Sequence, residues 1–401
     1  MARLPHAGRI FVALLACVGP ADAARAGEPV TAWGGRLRLA GEVSGTLAPE
    51  DDGYFNYSDY EYSQLRLLRL RLAAELRPAE PAAILVELRS DNLDAPRLYA
   101  LFLRLRPWSS KPIDLQVGLI PTAFGAMPRR QYPADNPLPG LPLAYQYLTA
   151  LRSDSAPRNA TELVHERARG WRVAYSLGSS VPGPGLPLVQ SERWDTGAQL
   201  RLGDEPLSLA LALTRGTLCQ PLTHDDNTGW QLSGRLGWRV SSAWRIGLSG
   251  ARGEYLADSL REALPPGTAG PGEQTAVGVD TELARGRWIG RGELVWSRWD
   301  VPVVDPPFIR SPLEAIGGFL EVRFKAFPGI FLAARGEGLH FGGVLGAATP
   351  EWDAPVWRLV AGAGWTPRPD LLVKLAVQYN KRDGGYVRDS TLPAVQVVWW
   401  F

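Results

Sequence analysis

The rest of the chain is organised around an irregular stretch from Leu119 to Arg158, which reads LIPTAFGAMPRRQYPADNPLPGLPLAYQYLTALRSDSAPR. It is rich in proline, carries the adjacent pair Arg129 and Arg130, and shows neither a helical nor a strand period before Leu141. An irregular segment of this length is uncommon inside a compact domain unless it has a function. The residues on either side of it must therefore supply the fold, and this stretch is inserted into that fold.

The chain begins with the features of a secretory signal. Two arginines precede a short apolar run, Ile10 to Val18, which is far too short to cross a bilayer as a helix. We expect residues 1–26 to be a signal peptide and residues 27–401 to form the mature protein. Cleavage there leaves a chain without net charge, which argues against a nucleic-acid partner. The alternative is a lipoprotein signal that ends at Cys17.

Cysteine content and hydropathy narrow the class of the exported protein. The mature chain keeps one cysteine, Cys219, so no internal disulfide can stabilise it. It has no later run of 18 apolar residues, which excludes a helical membrane protein. Two classes remain, namely a soluble secreted β protein and an outer-membrane β-barrel.

Apolar residues alternate with polar or small residues along most of the chain. This period of two is clear from Trp230 to Val240 and from Leu371 to Asn380. Eight residues of a strand tilted by about 40° rise roughly 20 Å, close to the separation of two aromatic girdles in a membrane. Tryptophans recur at this spacing on one face in three pairs: Trp230 and Trp238, Trp288 and Trp296, Trp357 and Trp365. The pattern favours a membrane barrel over a soluble sandwich.

Short turns alternate with long loops along the chain, and this alternation sets the expected number of strands. A direct count gives about 17, whereas both termini of such a barrel lie on the periplasmic side. A short strand at Asn159–Glu166, a turn at Arg167–Gly170 and an external loop at Ser179–Glu192 restore the parity. The sequence therefore predicts an all-β fold, a transmembrane antiparallel β-barrel of roughly 18 strands, with 16 as the alternative.

The chain ends in an alternating strand whose last residue is aromatic. Val395, Val397, Trp399 and Phe401 share one face. A terminal phenylalanine after alternating apolar residues resembles the sorting signal of outer-membrane barrels. Phe401 is therefore the predicted assembly signal.

The irregular stretch also carries a resemblance. The sequence PTAFG at residues 121–125, followed by NPLPGLPLAYQYL at residues 136–148, resembles the constriction-loop region of Gram-negative outer-membrane porins. The resemblance is limited to this stretch, the strand before it and the last strand. Phosphate-selective and other substrate-selective porins are among the similar families. It implies an inward-folded constriction loop over residues 120–158.

The candidate pore residues follow from this assignment. Arg129, Arg130 and Asp135 are the predicted pore constriction. If one strand face meets lipid, the other faces the lumen. The basic residues on that inner face outnumber the acids, so we expect an electropositive lumen that concentrates anions. The alternative is that these arginines pair with acids and fill space. The predicted pore-lining residues are Arg69, Arg71, Arg104, Arg106, Arg235, Arg239, Arg291, Arg323, Lys325, Arg335, Arg358 and Lys374.

Other chemistry is weakly indicated. Cys219 lies near His224, Asp225 and Asp226 in the sequence, but this set matches no metal-ligand spacing. The chain has neither a Gly-x-Ser-x-Gly elbow nor a His-Glu-x-x-His motif. We therefore expect no catalytic site, no metal and no cofactor, and the protein is not expected to be an enzyme.

The resemblance implies a porin in the outer membrane of a Gram-negative bacterium, which lets small hydrophilic, anionic solutes diffuse through a water-filled channel. The implied partners are membrane lipid, lipopolysaccharide, these solutes, the outer-membrane assembly machinery and, as in similar porins, two further copies in a homotrimer. Two alternatives remain open. One is an outer-membrane enzyme such as a lipid-modifying barrel hydrolase, and the other is a plugged structural or adhesive barrel.

Overall fold

The computed structural model of this protein describes most of the mature chain. The expected signal peptide, residues 1–26, lies outside the described residues, and so does Arg129. In the described part, no helix is long and apolar enough to cross a membrane. The described residues are 28–58, 62–108, 110–126, 130, 132–222, 226–268, 272–346 and 349–401.

Within these described residues, 16 antiparallel strands close into one barrel, and one three-residue strand adds to it. The strands are β1 (Val30–Ala32), β2 (Leu37–Leu47), β3 (Leu68–Ala79), β4 (Ala82–Asp91), β5 (Arg97–Leu105), β6 (Ile113–Ile120), β7 (Ser155–Ala156), β8 (Leu177–Gly178), β9 (Asp195–Leu202), β10 (Leu207–Thr214), β11 (Gln231–Arg239), β12 (Trp244–Glu254), β13 (Glu273–Arg285), β14 (Trp288–Trp299), β15 (Leu313–Phe327), β16 (Ile330–Phe341), β17 (Val356–Arg368), β18 (Leu371–Arg382) and β19 (Asp389–Trp400). The helices are short: a 3₁₀ turn at Pro133–Asp135, α1 (Leu143–Gln146), α2 (Ala160–His165) and α3 (Asp258–Ala263).

Each barrel strand pairs with the next one along the chain, with two exceptions. β6 pairs with β9, because residues 121–194 leave the wall between them, and β19 returns to pair with β2. The two-residue strands β7 and β8 pair with each other inside that excursion. Both ends of the barrel chain therefore meet at the same rim.

The outer face of the wall is apolar. Leucine, valine and tryptophan alternate outward on neighbouring strands, and Trp238, Trp288 and Trp365 are each about half exposed. Such a continuous exposed apolar surface is costly in water and favourable in a bilayer, where barrel closure satisfies every backbone group. The alternation and the spaced tryptophan pairs thus correspond to a lipid-facing belt.

Short turns join the strands at one rim, and long connections join them at the other. Turns of this kind follow β3, β9, β13, β15 and β17, whereas long connections follow β2, β10, β12, β14 and β16. In outer-membrane barrels the short turns are periplasmic and the long loops external. We use the names periplasmic rim and external rim in this sense.

The predicted barrel class is confirmed, and its strand number is 16, the alternative, rather than 18. The reason lies at Asn159–Glu166, where the structure has helix α2 and not a strand. The Asn159 side chain accepts a hydrogen bond from the Glu162 amide at 3.0 Å, and the Glu162 carboxylate accepts one from the Arg158 amide at 2.6 Å. Both bonds satisfy amides that have no partner within the helix, and the first is an N-cap, which starts a helix.

The last residue closes the barrel. The amide of Phe401 donates to the Gly41 carbonyl, and the amide of Gly41 donates to the Phe401 carbonyl, both at 3.0 Å. The Phe401 ring occupies the space where a side chain at position 41 would lie. Gly41 therefore makes room for the terminal aromatic ring on β2.

Candidate functional site

The described residues of the range 121–194, which we call the inner segment, lie in the barrel interior, and this range is longer than the predicted loop of residues 120–158. Ile120 itself ends β6. Prolines keep the first part from forming a strand, so its amides need partners on the wall. The Gly125 amide donates to Ser249 Oγ at 2.9 Å, and the Leu143 amide donates to Glu337 Oε2 at 2.5 Å. These bonds hold the segment against β12 and β16.

Arg130 lies against the wall, on the side of β14 to β16. Its Nη2 is 3.2 Å from Glu321 Oε1. The same carboxylate also faces Arg291 at 3.6 Å and Arg335 at 3.5 Å. Three guanidinium groups thus share Glu321. Two further carboxylates offset them, because Glu282 lies 2.7 Å from Arg291 and Glu337 lies 3.1 Å from Arg335.

Further along the same wall, basic side chains hold the inner segment directly. Arg358 is fully buried and donates to the carbonyls of Leu141, at 3.3 Å, and Phe55, at 2.7 Å. Lys374 is also fully buried and donates to the Pro133 carbonyl at 2.5 Å. These residues are inside the barrel, as predicted from the alternation, and they bind protein groups rather than an open passage.

The opposite side of the segment contacts β3 and β4. Arg71 and Arg89 each lie about 3 Å from the Glu87 carboxylate, at 3.0 and 2.9 Å. Tyr132 of the inner segment donates to the same carboxylate at 2.9 Å, and the Arg71 guanidinium stacks over the Tyr132 ring at 3.8 Å. Burial, reinforced by the Glu87 charge, raises the pKa of Tyr132 to about 12, so this hydroxyl remains a neutral donor.

Asp135 lies at the end of the 3₁₀ turn, between the two sides. Burial raises the pKa of its carboxyl group, while Arg71, Arg130 and Lys374 act in the opposite direction. The structure therefore brings Arg130 and Asp135 into one charged region of the barrel interior. Arg129, the third predicted member, lies outside the described residues.

A second basic group lies near the periplasmic rim. Arg104 and Arg106 share one acid, Asp114, at 2.5 and 3.3 Å. Arg201 lies opposite Asp114 in the register of β6 and β9. These four side chains line a cavity of about 710 Å³ that opens at this rim.

The remaining predicted lining residues differ in how they are paired. Arg69 is buried between Asp91, at 2.7 Å, and Glu192, at 2.6 Å, near the external rim. Arg235 is paired with Asp280 at 2.6 Å. Arg239 is paired with Glu205, whereas Arg323 stacks on Phe331 at 4.4 Å and Lys325 is exposed. Most lumen cations therefore have an acid beside them, which was the alternative to a freely electropositive lumen.

The external half of the interior holds an apolar core. Tyr145, Leu163 and Tyr175 of the inner segment are buried together with Trp299 and Trp352, which meet edge to face at 5.9 Å. The predicted external loop at Ser179–Glu192 is exposed in its first half, as at Val181, but its second half takes part in this core, where Leu186, Leu188 and Val189 are buried. The aromatic and aliphatic side chains of this core exclude water from the external half of the barrel interior.

One buried acid organises this core. Asp353 accepts hydrogen bonds from the amides of Ala150 and Ala168 at 2.8 Å and from Ala354 at 2.7 Å. It joins the external loop between β16 and β17 to two points of the inner segment. No pattern in the sequence indicates this role of Asp353.

The inward position of the wall acids Glu87 and Glu337 does have a signal in the sequence, since each lies two residues from an arginine on the same strand face.

The sequence cluster of Cys219, His224, Asp225 and Asp226 gains no support as a metal site. Among the residues that the structure describes, no group of three or more His, Cys, Asp or Glu side chains could hold a metal ion. His224 and Asp225 lie outside those residues, and Cys219 is buried.

Comparisons with known proteins bear on the fold. No protein-family model matches the chain, and no curated protein matches it. Among solved structures, it is similar to OmpF of Salmonella typhi in complex with daunomycin, with 10% identity, 91% of this chain and 97% of that chain covered, and a TM-score of 0.57. It is also similar to a loop L8 deletion mutant of OmpT, an outer membrane protein of Vibrio cholerae, with 10% identity, 91% and 99% covered, and a TM-score of 0.54. The trimer form of OmpT gives 9% identity, 91% and 99% covered, and a TM-score of 0.53. The chain therefore has the porin-like fold of Gram-negative outer-membrane β-barrels.

Proposed function

We propose that this barrel is a porin, which lets small hydrophilic solutes diffuse across the outer membrane, and that it is not an enzyme. The observation that carries the proposal is the inner segment. It enters the barrel and contacts inward side chains on opposite walls, Glu87 on one side and Glu321 on the other. Charged and hydroxyl groups around it suit a narrow aqueous passage, which needs a polar lining.

We further propose a preference for anions, set mainly at the periplasmic rim. There Arg104 and Arg106 share one acid, and among the described side chains neither Arg323 nor Lys325 has an acid within ion-pair distance. Basic side chains deeper in the lumen are paired with acids, so they contribute less to the preference for anions. Fixed charges that are not offset raise the local concentration of counter-ions in a narrow passage.

We also propose a location and an oligomeric state for the protein. A porin of this fold would lie in the outer membrane with lipopolysaccharide around its external rim, and we propose a homotrimer because one similar structure is described as a trimer form. Phe401 would serve the assembly machinery as the sorting residue.

Reversal potentials in a tenfold KCl gradient test the channel and its selectivity. Wild-type protein in a planar bilayer should conduct and should prefer chloride. The double variant Arg323→Gln and Lys325→Gln should lose part of that preference. Arg388→Gln, which removes one exposed charge in the external loop after β18, is the matched control and should leave it unchanged. Cation preference in the wild type would contradict the proposed selectivity.

A second candidate is a plugged barrel, and the apolar core at the external rim favours it. That core joins the inner segment to Trp299 and Trp352 and removes space from the interior. A plugged barrel would give no conductance steps in the same bilayers, although its migration on gels would show a folded barrel.

A further inference from the structure

A cavity of about 900 Å³ opens on the external side, apart from the constriction. Three separate parts of the chain surround it: the loop after β2, the inner segment around α2, and the loop after β18. We call it the outer pocket. Its volume is in the range of small-molecule sites. The aromatic and basic residues that line it include Tyr54, Arg167, Arg169, Trp171, Arg172 and Tyr386.

Aromatic rings form one part of the outer pocket. Tyr54 and Trp171 stack face to face, with ring centroids 3.9 Å apart and planes 10° from parallel. Tyr386 is fully exposed at the opposite loop. An aromatic side chain left in water is unfavourable, and such rings commonly serve as platforms for a ligand with an apolar face.

Arginines form the other part. Arg172 is exposed and makes no ion pair with any described residue, and Arg169 is 3.6 Å from Glu166. Arg167 lies 3.2 Å from Glu351, which leaves its buried Nε without a hydrogen-bond partner. Guanidinium groups bind carboxylates and phosphates through paired hydrogen bonds.

The pocket is held in shape by its surroundings. Ala168, between two of the arginines, has a left-handed backbone with φ of 61°, and its amide donates to the buried Asp353 carboxylate at 2.8 Å. Tyr54 also has a left-handed backbone, with φ of 55°. Non-glycine residues adopt this conformation at a cost and keep it where their neighbours fix it. On the other side, Arg382 donates to the Val387 carbonyl at 3.0 Å and so fixes the loop that carries Tyr386.

From the stacked aromatic rings and the arginines that face one cavity, we propose that the outer pocket binds an acidic oligosaccharide. Sugar rings present an apolar C–H face that packs on an aromatic ring, and their hydroxyl and carboxylate groups accept hydrogen bonds from guanidinium. Among the described residues, the four arginines that line the pocket outnumber the acids, which are Asp52 and Glu166 in the lining and Glu351 beside Arg167; these arginines are Arg167, Arg169, Arg172 and Arg382. The excess positive charge selects an acidic sugar over a neutral one. This site binds its ligand whether or not the barrel conducts.

Isothermal titration calorimetry of the full-length protein in detergent micelles tests the proposal. The probe is trigalacturonic acid, and maltotriose is the neutral control of the same length. Wild-type protein should bind the acidic trisaccharide with an affinity that falls as salt is added, and it should not bind maltotriose. Arg172→Gln should weaken binding about tenfold, the usual effect of losing one charge-assisted hydrogen bond. Tyr386→Ala should also weaken it.

The control variant is Arg388→Gln, because Arg388 is exposed in the same loop as Tyr386 and lies outside the outer pocket. It should bind as the wild type does. The proposal would be overturned if trigalacturonic acid gave no heat of binding. It would also be overturned if maltotriose bound as tightly as trigalacturonic acid, or if Arg388→Gln weakened binding as much as Arg172→Gln does. Titrations in nanodiscs with and without lipopolysaccharide identify the source of the sugar. Competition by lipopolysaccharide indicates a lipid-anchored saccharide, and unchanged binding indicates a soluble one.

Discussion

At the scale of single residues, acids on the wall decide where the inner segment lies. Glu321 faces Arg130, Glu337 accepts from the Leu143 amide, and Glu87 accepts from Tyr132. Each acid also faces at least one wall arginine, so removing the inner partner alone leaves the wall pair in place. Buried polar groups of this kind are favourable only when all of them have partners. The charges therefore position the segment as well as lining the space beside it.

Cys219 is buried in the apolar core of the external half of the barrel, so the reactivity of its thiol reports whether that core stays closed. Burial raises the pKa of its thiol to about 11. At pH 8 about one thousandth of such a thiol is thiolate, and the thiolate is the reactive form. We expect 5,5′-dithiobis(2-nitrobenzoic acid) to leave the folded protein unmodified for hours at pH 8, and to modify one thiol per chain after denaturation. Rapid modification of the folded protein would show that this core opens.

Phe401 and Gly41 should act together in assembly. Deleting Phe401 removes both backbone bonds to Gly41, and Gly41→Leu fills the place of the ring. Both changes should lower the amount of folded, heat-modifiable protein in outer-membrane fractions. Gly45→Leu is the matched control, because a side chain at this position of the same strand would meet open space. If all three variants assemble normally, the chain end has no role in closure.

At the scale of elements, strands were predictable and the inner segment was only partly so. A strand with one lipid-facing side shows its period in the sequence, as from Trp230 to Val240, since every outward position must be apolar. The start of helix α2 also has a local signal, because Asn159 followed three residues later by Glu162 is typical of a helix N-terminus. The even number of strands that a barrel needs favoured a short strand there instead. The Asp353 contact with Ala150 joins residues far apart in the chain, and no local pattern encodes such a contact.

The cap of helix α2 gives a direct prediction. Replacing Asn159 by Ala removes the acceptor of the Glu162 amide and should weaken the first turn by about 1 kcal/mol. Hydrogen exchange of α2 should then be about fivefold faster than in the wild type. Thr161→Ala, at an exposed position of the same helix, should change exchange little. Equal exchange in the Asn159 variant would mean that tertiary contacts alone hold α2.

At the scale of the whole molecule, the closed barrel could be predicted from the sequence pattern, whereas the charge balance of the interior could not. The alternation correctly placed Arg335 and Arg358 inside, but the sequence could not pair them with Glu337, which lies 3.1 Å from Arg335 and 3.8 Å from Arg358. Whether a lumen arginine is offset depends on neighbours across several strands. We therefore expect the proposed selectivity to depend on the assembled wall, and we propose that the inner segment narrows a conducting channel.

Single-channel conductance of the wild type and of a variant lacking residues 126–140 tests this claim most directly. The deletion removes Arg130, Tyr132 and Asp135, and with them the contacts to Glu87 and Glu321 on opposite walls. Heat-modifiable migration on gels confirms that both proteins contain a folded barrel. We predict discrete conductance steps for the wild type and larger steps for the deletion variant. Conductance steps of equal size in the two proteins, or no steps in either, would contradict the proposal that the inner segment narrows a conducting channel.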